Sequence, residues 1–330
     1  MDPGSIVVGS RGAEPGVIVS SGSGEPLASH RCDVCVSITD VEADQSAIYV
    51  LAELDAAGGA DAAVLSLDPA SGAWSTLTDD LADPSGLALA GGGSLAIADN
   101  TPGGVVIEFV HAATGARSRL AAGQSIARAF GLDTRRGEFV VAGLLEEGGR
   151  GAVFEIDAFG AVTVLAEAGE ERTALASPVD VAGSGDVLYV LDMRSRGVGV
   201  QDEGRIFMID GTGEVSLRSV GVEGVVRVAG SEPFLGIDVS AGLVYVVDLA
   251  TGSDRGGINA FDPETGTFTS ITDESLIDDP TGLAAVPGAA DGDVDLRGEG
   301  GLSWRLLGFL GLASTLIVAA TLLGVRRLAR

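Results

Sequence analysis

Three aspartates recur in closely similar settings: Asp133 in Gly131-Leu-Asp-Thr134, Asp180 in Val179-Asp-Val-Ala182, and Asp238 in Gly236-Ile-Asp-Val239. Carboxylates that converge in a fold either repel, which raises one or more of their pKa values, or recruit a hard cation such as Ca²⁺. An aspartate in such a place can also accept backbone N–H bonds and hold neighbouring elements together, without any ligand. A second acidic set closes Tyr/Val-rich stretches: Glu53, Asp99, Asp192 and Asp248, with Asn100 beside Asp99 as the nearest amide. Histidine chemistry has little to draw on, since His30 and His111 are the only two. His111 fills a turn position that aspartate takes elsewhere, which reads as structural and leaves a His-based triad or general base few candidates. Cys32 and Cys35 form a lone Cys-x-x-Cys, which is a redox pair, a tight disulfide or half of a zinc site. No second Cys/His cluster follows, so a local disulfide or two idle thiols is the preferred reading.

The stretches that carry these residues repeat. Each unit has an apolar stretch opening with Gly-Leu or Gly-Ile, a glycine-containing turn, a Tyr/Val-rich stretch ending in an acid, a Gly-led stretch, and an Asp-Pro-x-Thr-Gly type turn. Gly236-Ile-Asp-Val239, Val244-Tyr-Val-Val-Asp248, Gly257-Ile-Asn-Ala-Phe261 and Asp262-Pro-Glu-Thr-Gly266 show it in full. Self-similarity at about 40–55 residues with four short strands per unit predicts an all-β propeller.

Calling the strands of a unit A to D from the axis outwards, A is expected at 36–39, 86–89, 131–134, 179–182, 236–239 and 282–285. Strand B is expected at 6–8, 48–51, 95–98, 139–142, 188–191 and 244–247, and strand C likewise has six members. Six blades follow, with seven as the alternative count. The first B has no A before it and the last A has no B after it. The C-terminal strand A is therefore expected to close onto the N-terminal B, C and D, pairing two otherwise open sheet edges. This arrangement aligns Thr39, Ala88, Asp133, Asp180, Asp238 and Ala284 at the axis. It aligns Gly9, Glu53, Asp99, Gly143, Asp192 and Asp248 at the end of strand B.

Asp83-Pro-Ser-Gly-Leu-Ala-Leu, Leu188-Tyr-Val-Leu-Asp192 and Gly204-Arg-Ile-Phe-Met-Ile-Asp210 resemble the NHL-repeat and SMP-30/gluconolactonase-like propellers, over about Ile6 to Val286. The resemblance implies a six-bladed propeller. In the metal-dependent members it also implies acidic and amide side chains near the axis that bind a divalent ion and polarise a lactone or phosphoester. No full Glu/Asn/Asn/Asp ligand set can be matched here, so no cofactor is assigned, and Ca²⁺ or another divalent cation is the one the acids would suit.

Composition limits the partners. The 330-residue chain has a formal net charge of −27 and no lysine, its 20 basic residues all being arginine. That argues against nucleic acid, which requires clustered basic residues. From Leu306 to Val325 no residue is charged, and about 30 Å of helix spans a bilayer. Arg326 and Arg327 follow, which predicts a single membrane anchor with a cytoplasmic tail and an extracytoplasmic propeller. No signal peptide is seen after Met1, so either the natural start lies upstream or the anchor inserts after synthesis. The expected organisation is a propeller over 1–287, a flexible linker over 288–303 and an anchor over 304–330. A monomeric, membrane-anchored module that binds a protein or glycan is the favoured function. The alternative is a cation-dependent lactonase-type hydrolase with its site at the axis.

Overall fold

The computed structural model describes residues 1–12, 14–55, 61–169, 171, 174–194, 203–222, 236–249, 255–272 and 277–287. The predicted linker and anchor, including Leu306, Val325, Arg326 and Arg327, lie outside the described residues.

The chain opens with β1 (Ile6–Ser10), β2 (Gly16–Ser20) and β3 (Pro26–Arg31), three strands of one sheet. Five more sheets follow in chain order. The second holds β4 (Cys35–Ala43), β5 (Ile48–Leu54), β6 (Asp61–Asp68) and β7 (Ala73–Leu81). The third holds β8 (Pro84–Leu89), β9 (Ser94–Thr101), β10 (Gly104–His111) and β11 (Arg117–Ala121). The fourth holds β12 (Ile126–Arg135), β13 (Glu138–Leu145), β14 (Gly151–Ile156) and β15 (Val162–Glu167). The fifth holds β16 (Pro178–Ser184), β17 (Val187–Arg194), β18 (Glu203–Ile209) and β19 (Val215–Val222). The sixth holds β20 (Ile237–Ser240), β21 (Leu243–Leu249), β22 (Arg255–Asp262) and β23 (Thr267–Ser270), with the short β24 (Ile277–Asp278) also paired to β22.

The last strand, β25 (Pro280–Ala285), returns to the first sheet and pairs antiparallel with β1, matching Ile6 to Ala285 and Val7 to Ala284. Closure by the C-terminal strand is therefore as expected, and the count is six. The innermost strands touch in sequence, β25 to β4, β8, β12, β16, β20 and back to β25, which makes the ring continuous.

The second strand of each sheet explains the core. Runs such as Ile48-Tyr-Val-Leu51 and Leu188-Tyr-Val-Leu191 are apolar without a break because both faces of the strand are covered. Alternate residues then enter different cores. Val7 packs with Ile38, Val50 and Leu65 of the second sheet, whereas its neighbours Ile6 and Val8 pack with Tyr245, Val247 and Ile258 of the sixth. One such cluster fills each of the six seams between sheets.

The hairpins on the outer side are set by their aspartates. Asp68, Asp210 and Asp262 each accept backbone N–H bonds from within their own turn, and Gly72 and Gly266 take the positive φ (73° and 72°) that completes two of them.

Candidate functional site

The innermost strands carry an acidic array that differs from the predicted row. A bulge precedes the key positions in β4, β8, β12 and β16, where Thr39, Ser85, Phe130 and Val179 are the extra residues. Cross-strand register then defines two levels. At the first, nearer the start of each innermost strand, Asp40, Gly86, Gly131 and Asp180 pair with Leu51, Ala98, Ala142 and Leu191. At the second, two residues on, Ala284, Glu42, Ala88, Asp133, Ala182 and Asp238 pair with Val7, Tyr49, Ala96, Val140, Tyr189 and Tyr245.

Two corrections follow. Asp180 does not share the level of Asp133 and Asp238; it occupies the place of the motif glycine, opposite Asp40 across the ring. Thr39 is the bulged residue, and Glu42 holds the position predicted for it. The second level therefore alternates acid and alanine around the axis, with Glu42, Asp133 and Asp238 on every second blade. Asp40 and Glu42 escaped the sequence reading because Asp40 replaces the glycine that marks the motif elsewhere. The signal was present in Val41-Glu-Ala43, which matches Ile237-Asp-Val239 residue for residue in character.

The four aspartates share one bonding scheme. One oxygen of Asp40, Asp133, Asp180 and Asp238 accepts the next residue's N–H, at 2.6–2.9 Å. The other crosses to the following blade: Asp40 to Leu87 N–H (2.8 Å), Asp180 to Ile237 N–H (3.0 Å), Asp238 to Ala285 N–H (2.6 Å) and Asp133 to Gly183 N–H. Glu42 bonds back to the N–H of Ala43.

All five carboxyls are pushed up from the usual carboxylate range. Burial is the main cause, with backbone bonds opposing it. Asp133 rises to about 6, Asp40 to about 7 and Asp238 to about 8. Glu42 and Asp180 also rise well above the ordinary value, Glu42 with added repulsion from Asp238, Asp133 and Asp40, and Asp180 with repulsion from Asp40 and Asp133. Among the described residues no three His, Cys, Asp or Glu side chains are grouped so as to hold a metal ion.

The second predicted ring is used differently. Asp99 is buried and accepts the N–H groups of Ala82 and Asp83 in the segment entering its own blade. Asp192 is fully buried, accepts the N–H groups of Ala176 and Ser177, and forms an ion pair with Arg205, also buried, on the facing strand. Burial raises the Asp192 carboxyl, and the Arg205 charge opposes that rise. The Arg205 guanidinium carbon lies 4.9 Å from the Phe207 ring centroid. Asn100 bonds Ala129 of the next blade through both backbone N–H and C=O (2.8 and 3.2 Å). Glu53 lies one residue beyond the Asp99 position and takes a bond from Ser37 Oγ at 3.0 Å. Asp248 pairs with Gly257 through the backbone, and its side chain is outside the described residues. Cys32 and Cys35 are joined as a disulfide.

Solved structures share this architecture. A chain of a nidogen/laminin complex superposes with a TM-score of 0.64 at 14% identity, covering 86% of this chain and 98% of that one. TolB from Acinetobacter baumannii gives 0.60 at 14% identity, covering 86% of this chain and 67% of that one. The chain is a six-bladed β-propeller. No family model and no curated protein sequence matches it, and at this identity the likeness of the propeller to its neighbours is one of fold.

Proposed function

We propose that this propeller is a membrane-anchored, extracytoplasmic binding module that takes a protein or glycan on the face carrying its B–C and D–A loops. The observation that carries this reading is the commitment of the acidic candidates. Asp133, Asp180 and Asp238 spend both oxygens on backbone N–H groups, and Asp99 and Asp192 tie down the segments entering their own blades. A lactonase-type site needs such groups turned toward a cation and substrate. The reading draws further support from chain direction. The described chain leaves the disc after β25 on the face of the short A–B turns, where Val286 bonds Ser5 and Gly4, which is the face opposite the one proposed to bind. The nidogen/laminin neighbour comes from a protein–protein complex, a use to which this fold lends itself. Within the propellers, kinship with the NHL-repeat and SMP-30-like group is our inference from its repeat motifs.

Photo-crosslinking from intact cells tests the proposal. A reactive residue at Arg194, on the long-loop face, is expected to capture an extracytoplasmic ligand, while one at Arg136, on the short-turn face, captures none. Capture from Arg136 alone, or a propeller sheltered from external protease in intact cells, overturns it.

A further inference from the structure

The acidic array at the axis has a property that its bonding role leaves unexplained. Five carboxyls face one another from four innermost strands: Asp40 and Glu42 on β4, Asp133 on β12, Asp180 on β16 and Asp238 on β20. The other two innermost strands contribute no charge at these levels, β8 offering Gly86 and Ala88 and β25 offering Gly282 and Ala284. No arginine pairs with any of the five among the described residues. The cations closest in sequence are engaged elsewhere, Arg135 with Glu155 at 2.7 Å and Arg136 with Asp186. Four of the five also bridge neighbouring blades, so the charge of this array bears directly on the seams of the ring.

We infer that the axis is a proton-loaded latch: protons held among these five carboxyls take the place of a counter-cation, and the ring grips less tightly when rising pH strips them off. Neutralisation is favoured, because these carboxyls are only partly exposed and those on different innermost strands repel one another. A proton supplies it and weakens the bridging bonds without removing them, since the protonated group keeps acceptor capacity for the N–H.

The sign follows from linkage. Carboxyls raised in the folded state hold protons that the unfolded chain has released. Their contribution to stability is complete below the ordinary carboxylate range and is lost as pH rises through about 6, 7 and 8 for Asp133, Asp40 and Asp238. The unfolding equilibrium constant of the full chain should rise about tenfold per pH unit for each proton still held.

The test is denaturant unfolding of the full chain between about pH 5.5 and 8.5, roughly the span over which these carboxyls release their protons. A His30→Gln/His111→Gln background keeps the protein's only two imidazoles out of the titration. Stability is expected to fall with pH, and Asp133→Asn/Asp238→Asn, which removes both titrating groups and keeps one acceptor oxygen on each side chain, should flatten the slope. Infrared spectroscopy of the unmutated chain gives a reading that does not depend on the variants folding. A protonated-carboxyl carbonyl band should be present at neutral pH and disappear in alkali. Absence of that band, a slope the double variant leaves unchanged, or loss of the band at neutral pH on adding calcium alone would each overturn the latch, the last by assigning the axis to a cation.

Discussion

The Oδ2 atom of Asp238 accepts the amide hydrogen of Ala285 at 2.6 Å, joining the innermost strand of the sixth blade to the strand that closes the ring. Ala285 is at the same time matched to Ile6 in the closing sheet. One C-terminal strand is thus held from two sides, by the sheet it completes and by the carboxyl of the preceding blade.

Removing that acceptor should loosen the closure. Asp238→Ala is expected to cost about 1–3 kcal/mol, the usual penalty for stranding a buried N–H. Asp238→Asn keeps an oxygen in place and should cost clearly less. Hydrogen exchange at Ala285 checks the assignment: protection should drop in the alanine variant more than in the asparagine one.

Asp192 and Arg205 make a second test. Both are fully buried, so Asp192→Ala takes the Asp192 carboxylate from a buried guanidinium and the acceptor from the N–H groups of Ala176 and Ser177. A loss of about 3–5 kcal/mol in denaturant unfolding is expected. Asp192→Ala/Arg205→Met should recover part of it, because no buried guanidinium then lacks the Asp192 carboxylate. Equal losses in the single and double variants would show that the pair itself contributes little.

The seams between innermost strands predict a third result. A Cβ placed on Gly86 would lie 2.6 Å from the backbone nitrogen of Leu132, and one on Gly282 would lie 2.6 Å from Asp40 Cα. Neither obstacle is a side chain that can swing away. Gly86→Ala and Gly282→Ala should each destabilise by about 1–3 kcal/mol through overpacking. Gly266→Ala meets no atom within 4 Å but must adopt a φ of 72°, so its cost should come from backbone strain and stay local to its hairpin.

Sequence alone determined the propeller, its six units and its closure. Each rests on local patterns that survive in one dimension: an unbroken apolar second strand such as Val244-Tyr-Val-Val247, an Asp-led hairpin such as Asp262 to Gly266, and an unpaired strand at either end. Tertiary structure alone decided which acids share a level. A bulged residue such as Thr39 shifts the pairing of everything after it, so counting along the chain put Asp180 beside Asp133 and passed over Glu42. It also decided what the acids do, because the donors that occupy them, Leu87, Gly183, Ile237 and Ala285, belong to other blades about 50 residues away. A hydrogen bond between distant strands leaves no periodic trace in sequence. Its partners become neighbours only when the ring has closed.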